Sequence, residues 1–297
     1  MFARPGLPQF DYVRASTPDE VIGLLAKHGK KAKLLMGGTD LLPGLRDGLL
    51  RPGVVIDVKA LAGMRDIRFA EEGDLTIGAA VTMNALARHL QIAASFPPLA
   101  EAANTVASFQ VRNRATVGGN LCNASPCADT SPVMLVLKAE FILRGRRGER
   151  SLAADQFFLG PGLTALQPDE FMTAIRIPAL PAGSEARYLK LGRCKTGDLS
   201  LVGVAVLGYP VESRPGYQFR IALGSVAPVP LRVTGAEQIL LHDAPGEESF
   251  EAAAREAMAS ASPITDVRGT AGYQRAMVRT LTLRALRDVW ARLEKRG

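Results

Sequence analysis

Val111-Arg-Asn-Arg-Ala-Thr-Val-Gly-Gly-Asn-Leu-Cys-Asn-Ala-Ser-Pro126 is the stretch on which the reading of this chain turns. Its only charges are Arg112 and Arg114, and the surrounding segment 110–128 shows neither a helical nor a strand period, so it reads as a loop. A loop so long and so weakly charged must lie against something. The paired Gly118-Gly119 sits between apolar and small polar residues, and Leu34-Leu-Met-Gly-Gly-Thr-Asp40 repeats that grammar upstream. Glycine permits positive φ and close backbone approach, and successive N–H groups in such a turn form an anion nest. One Gly-Gly is equally an ordinary turn. Two with matching flanks predict a clamp for one diphosphate, with Thr39, Thr116 and Asn120 as uncharged donors.

The elements around these loops follow from spacing. Thr17-Pro-Asp-Glu20 is a capping box, and Val21, Leu24 and Leu25 continue a helix until Gly29 stops it. Strands are predicted at 33–36 and 54–58, so the first sixty residues form a small β-α-β-type unit. A strand at 75–81, a helix from Thr82 through Leu90 and an Ala-rich helix at 98–108 follow. A helix restarts at Asp129 or Thr130 and runs to Leu137, and strands lie at 141–143 and 171–177. Pro178-Ala-Leu-Pro-Ala-Gly183 reads as a linker. Beyond it, strands at 188–192, 200–207 and 218–225 precede helices at 236–241, 250–261 and 270–294. The fold class is α+β. The divisions are 1–177 (subdomains about 1–60 and 61–177), a linker at 178–185 and a C-terminal domain at 186–297.

Composition excludes several classes. The chain has 297 residues, 47% of them hydrophobic, which is enough for two cores at about 100–200 residues per domain. No apolar run approaches the ~20 residues of a membrane span. The opening residues, with Arg4, Pro5 and Pro8, lack the apolar stretch of a secretory signal, so a cytoplasmic protein is expected. Three cysteines (Cys122, Cys127, Cys194) are too few for a disulfide framework or for an iron–sulfur cluster, which takes four thiolates. His28, His89 and His242 are scattered, with no metal or triad spacing. The net charge of +7 is compatible with nucleic acid, an acidic partner or a phosphate-bearing cofactor. Its densest stretch, Arg144-Gly-Arg-Arg-Gly-Glu-Arg150, reads as a turn between strands. Gly160-Pro-Gly-Leu-Thr-Ala165 matches a dinucleotide fingerprint formally, but Pro161 and Pro168 oppose a helix there. The 23–31 stretch has the wrong glycine spacing for a P-loop and Lys31 where Ser or Thr is needed.

With Leu35-Met-Gly-Gly-Thr-Asp-Leu-Leu-Pro43, Ile56-Asp57, Leu75-Thr-Ile-Gly-Ala79, the 111–126 segment, Asp129, Phe157-Phe158, Tyr188-Leu-Lys-Leu191 and Ile264-Thr-Asp-Val-Arg-Gly269 together, the chain resembles the FAD-binding (medium) subunit of the molybdenum hydroxylases, the xanthine dehydrogenase and carbon monoxide dehydrogenase family. That resemblance implies a two-part FAD-binding domain of vanillyl-alcohol-oxidase (PCMH) type, followed by a small α+β flavoprotein domain. It implies that Lys33, Leu34, Leu35, Met36, Gly37, Gly38, Thr39, Asp40 and Leu41 wrap the FAD pyrophosphate and ribitol. Met36 stands where Ala is usual. Thr116, Gly118, Gly119 and Asn120 match the second loop, Val106 matches a position flanking the cofactor, Asn123 sits in the polar stretch after the loop, and Asp129 matches the acid at the adenosine end. On the residues alone Asp129 is equally a helix N-cap. Met172 and Lys190 match positions near the cofactor, and the 193–198 loop one that lies beside the flavin.

The resemblance further implies a large molybdenum-cofactor subunit that oxidises the substrate. A small subunit with two [2Fe–2S] clusters relays the electrons, and FAD here passes them to an external acceptor. A dimer of heterotrimers is the family assembly. No residue of this chain is expected to act as nucleophile, base or metal ligand. Two other readings stand beside this one. A self-sufficient flavin oxidoreductase would need a Tyr, His or Glu base over the flavin, and a non-redox nucleotide- or nucleic-acid-binding subunit would use the basic charge directly.

Overall fold

The computed structural model describes residues 6–194, 196–213 and 215–295; Arg4, Pro5 and Lys195 of the sequence reading lie outside them. The chain opens with β1 (Asp11–Arg14), α1 (Pro18–His28), β2 (Ala32–Leu35), α2 (Leu41–Arg46) and β3 (Val54–Asp57). The three strands form a parallel sheet in the order β1-β3-β2, whose register puts Arg14, Asp57 and Leu35 in one row at its C-terminal end. Helix α1 starts where its pattern predicts: the Thr17 side chain accepts the Glu20 N–H, and Glu20 accepts the Ser16 N–H in return. The sheet's first strand, β1, was not expected.

The next unit comprises β4 (Ile67–Phe69), β5 (Leu75–Gly78), α3 (Met83–Arg88), α4 (Leu90–Ser95), α5 (Pro97–Thr105), α6 (Phe109–Arg112), α7 (Val117–Asn123) and α8 (Thr130–Val136). It continues with β6 (Glu140–Gly145), β7 (Gly148–Ala153), α9 (Ala154–Phe157), β8 (Phe158–Gly160), β9 (Leu163–Thr164) and β10 (Phe171–Ile177). Five of these strands make an antiparallel sheet, β4-β5-β10-β6-β7.

Four expectations are corrected here. The 75–81 strand ends at Gly78, because the carbonyls of Ala79 and Val81 leave the sheet to accept N–H groups from Gly118 and Val117. The helix from Thr82 does not reach Leu90: His89 ends it and caps α4, its Nδ1 accepting the Ile92 N–H. The Ala-rich helix stops at Thr105. The supposed loop 110–128 holds the end of α6 and all of α7. By contrast the basic 144–150 stretch does form a turn, closing the β6–β7 hairpin.

The last unit contains β11 (Glu185–Leu191), β12 (Val202–Pro210), β13 (Tyr217–Gly224), β14 (Leu231–Arg232), α10 (Thr234–His242), α11 (Glu247–Ser260) and α12 (Ala271–Leu293). Its antiparallel sheet, β11-β12-β13-β14, is covered on both faces. Side chains alternate across a strand. Along β12, accordingly, Val202, Val204 and Val206 enter a core built with α10, α11 and α12, while Ala205 and Leu207 enter the core of the preceding units. The architecture is a two-part domain, one unit built on a parallel and one on an antiparallel sheet, followed by a smaller α+β domain.

Candidate functional site

A cavity of about 730 Å³ opens where the three units meet. That is within the ~300–1,000 Å³ typical of cofactor and ligand clefts. Its walls are the β2–α2 loop, the α6–α7 region, the β8–β9 turn at Gly162, β10 at Phe171 and Met172, and residues 197–199 from the last unit. Along the β2–α2 loop, the N–H groups of Gly37, Gly38, Thr39, Asp40 and Leu41 have no acceptor among the described residues. Five adjacent amides without acceptors form a site for an oxyanion, because N–H dipoles answer the charge.

The second glycine pair behaves differently from expectation. Gly118 and Gly119 do not form a turn with open amides; they lie in the first turn of α7. The Gly118 N–H donates to Ala79 O at 2.9 Å and the Gly119 N–H to Thr116 Oγ1 at 3.2 Å. Close packing explains why glycine is needed. A Cβ on Gly118 would stand 2.6 Å from the Ala79 Cβ, and one on Gly37 2.2 Å from Arg114 O. Within the two pairs only Gly38 has positive φ, at 75°. Thus the second motif is the bed on which the first loop lies. Met36, buried between the two, reaches Thr116 Oγ1 with its Sδ at 3.9 Å.

At the seam with the last unit, Asp129 occupies the N-cap position of α8 without capping it. Its carboxylate instead accepts Tyr188 OH at 2.7 Å and Lys190 Nζ at 2.8 Å. Lys190 also donates to the carbonyls of Thr105 and Asp198, tying three segments together. Burial pushes the Asp129 carboxyl up, against the opposing pull of Lys190 and Tyr188. The Tyr188 phenol is likewise pushed well up, by burial first and the neighbouring Asp129 second. Ala107, with φ of 41°, is held by Arg112 and by the Gly197 N–H, both bound to its carbonyl. Asp198 is pulled far below the ordinary carboxylate range by hydrogen bonds from Arg193.

The structure brings Lys33, Leu34, Met36, Gly37, Gly38, Thr39, Asp40, Leu41, Val106, Thr116, Gly119, Asn120, Asn123, Asp129 and Met172 to the cavity wall. Leu35, Gly118 and Lys190 do not line it. Leu35 is paired in β2, Gly118 is pressed on Ala79, and the Lys190 ammonium is spent on the seam. Sequence reasoning missed Leu50, Ala107, Cys122, Phe171 and Leu199. Cys122 is a half-buried thiol pushed up to about 12 by burial, and nothing in its spacing marked it. Among the described residues no cluster of His, Cys, Asp and Glu is placed to hold a metal.

Comparison with known proteins decides the family. The family described as "FAD binding domain in molybdopterin dehydrogenase" matches residues 8–180, and "CO dehydrogenase flavoprotein C-terminal domain" matches 187–289. The chain belongs to the FAD-binding medium subunits of the molybdenum hydroxylases. This medium subunit is 40% identical to the carbon monoxide dehydrogenase medium chain of Hydrogenophaga pseudoflava over 96% of its own length and 98% of the relative's. It is 31% identical to the xanthine dehydrogenase FAD-binding subunit of Escherichia coli O157:H7, covering 94% of this chain and 96% of that one. The solved carbon monoxide dehydrogenase from Hydrogenophaga pseudoflava, lacking the Mo-pyranopterin moiety, superposes with a TM-score of 0.92 at 39% identity, covering 97% and 99% of the two chains. Quinoline 2-oxidoreductase from Pseudomonas putida 86 gives 0.88 at 28%, covering 96% and 98%. FAD is the cofactor of this oxidoreductase subunit, and the open amide row fits its pyrophosphate. Among the described residues of the medium subunit, no helix is long and apolar enough to cross a membrane.

Proposed function

We propose that this medium subunit is the electron exit of a molybdenum hydroxylase, taking electrons from the [2Fe–2S] clusters of a small partner subunit and releasing them to an external acceptor, while a large molybdenum-cofactor subunit oxidises the substrate. The observation that carries the reading is the open amide row of residues 37–41 facing a cavity whose lining contains no His, Tyr or Glu. FAD, when bound, supplies both one- and two-electron transfer. The chain's own work is to hold it. Gly37, Gly38, Thr39, Asp40 and Leu41 are the proposed pyrophosphate and ribitol cradle, with Thr116, Gly119, Asn120 and Asn123 across from them. Asp129 and Met172 form the adenosine side in this proposal, and Lys190 acts through Asp129.

The absence of His, Tyr and Glu from the lining speaks against direct oxidation of a small substrate here, and a cradle of backbone amides that includes Asp40 does not resemble a basic nucleic-acid groove. The relatives are named for carbon monoxide, xanthine, nicotine and glyceraldehyde, so the substrate is taken to be set by the large subunit. Assembly as a dimer of heterotrimers in the cytoplasm belongs to the same proposal. So does the domain division at 178–185, supported by the tight turn in which the Ser184 N–H bonds Pro181 O at 3.1 Å. The test is an absorbance spectrum of the purified chain, then heat release and chromatography of the cofactor, then reconstitution with the two partner subunits. Stoichiometric FAD and acceptor reduction only in the three-part complex are expected. Substrate oxidation by this chain alone would overturn the proposal.

A further inference from the structure

A second recess, of about 200 Å³, lies at the C-terminal end of the parallel sheet and is lined by Tyr12, Arg14, Asp57, Lys59, Ala60 and Arg65. It is separate from the FAD cavity and shares no lining residue with it. In open parallel sheets this end of the strands is where ligands collect. Asp57 organises the recess: its buried carboxylate accepts Tyr12 OH at 2.6 Å and Lys59 Nζ at 2.7 Å on one oxygen, and the Lys59 N–H at 3.0 Å on the other. The one carboxylate lining the recess is therefore already satisfied.

The cations around it are not. Arg14 and Arg65 have no acidic partner and no hydrogen-bond acceptor among the described residues, and Lys59 uses one of its three ammonium protons on Asp57. Arg14 stands in register with Asp57 across the β1–β3 pair, on the same side of β1 as Tyr12, while Arg65 arrives from the turn before β4. Three cations against one carboxylate leave the recess net positive by two, with guanidinium forks suited to paired oxygens. An exposed arginine is normally solvated, but two of them converging with a fixed ammonium on a concave surface share one anion better than three hydration shells.

We propose that this recess is a binding site for the phosphate group of a small soluble ligand, held by Arg14, Arg65 and Lys59, with Asp57 and Tyr12 fixing the lysine. The recess is larger than a bare phosphate needs, so it also takes the first atoms of whatever carries the group. This site is independent of the flavin reading.

Isothermal calorimetry on the FAD-loaded chain tests it, titrating inorganic phosphate at constant ionic strength with chloride as the replaced ion. Saturable one-site binding is expected, weakened about tenfold in Arg14→Ala and again in Arg65→Ala, as the loss of a charge-assisted contact implies. Arg46→Ala, an exposed cation on α2, serves as the control and should bind as the parent does. Both test residues are exposed, so the variants are expected to fold, which flavin content and melting verify. Binding that is equal in the parent and both variants would place the anion elsewhere and overturn the proposal. So would the absence of any heat above the chloride control.

Discussion

Gly37 has no room for even one methyl group, since its Cβ would lie 2.2 Å from the Arg114 carbonyl, a backbone atom that cannot turn aside. Gly37→Ala must push the cradle off its bed, at a cost of about 1–3 kcal/mol for such overpacking. The expected outcome is a purified protein with more than tenfold weaker FAD retention, read from the flavin-to-protein absorbance ratio, and full occupancy would refute the role given to this contact. Lys190 makes the complementary case. Lys190→Met leaves the Asp129 carboxylate buried beside only Tyr188, and an uncompensated buried charge costs about 3–5 kcal/mol. Urea melting should show a loss of this order, and adding Asp129→Asn should recover part of it. Additive effects would mean the two side chains are not coupled.

At the scale of elements, the sequence was legible wherever local chemistry and burial agreed. The Thr17 cap with Pro18 announced α1, and the apolar run at 202–207 announced the strand β12, whose cover on both faces only the structure shows. Helices α6 and α7 were invisible because they span four and seven residues, too short for a helical period to declare itself. Glycine and asparagine also argue against α7 locally. Packing on Ala79 and the Thr116 cap override that preference. The same override explains the cradle: residue types predicted two similar loops, but a tertiary hydrogen bond to Ala79 and the local Thr116 cap take up the amides of the second pair and leave the first open. The cap itself can be tested. Thr116→Ala removes the acceptor for the Gly119 N–H and should cost about 1 kcal/mol, measured by thermal melting, together with lower FAD retention. The end of β3 offers a pH test. Burial pushes the Asp57 carboxyl up, yet hydrogen bonds from Lys59 and Tyr12 outweigh it and hold the group below its ordinary value. Such a group stabilises the fold above its unfolded pKa, near 3.9, and that contribution is lost as pH falls through the lower folded value. Melting temperature should therefore fall less steeply below pH 4 in Asp57→Asn than in the parent.

For the whole molecule, the sheet β11-β12-β13-β14 belongs to two cores at once, so neither half can loosen without exposing apolar surface of the other. Leu207 points into the core of the preceding units. Leu207→Ala should cost about 2–5 kcal/mol and loosen FAD as well, although Leu207 does not line the cavity. Equal FAD affinity in that variant would show that the seam does not transmit its strain. Ligation should work in the opposite direction, adding about 2.7 kcal/mol at a hundredfold excess over Kd. The segment 197–199 contributes one wall of the cavity from beyond the 178–185 stretch, while the amide row comes from the first forty-one residues. A ribosome therefore delivers the cradle early and its last wall late. Full flavin capture must wait until the chain has been made past residue 199, so a yellow colour certifies that synthesis has passed well beyond the amide row itself.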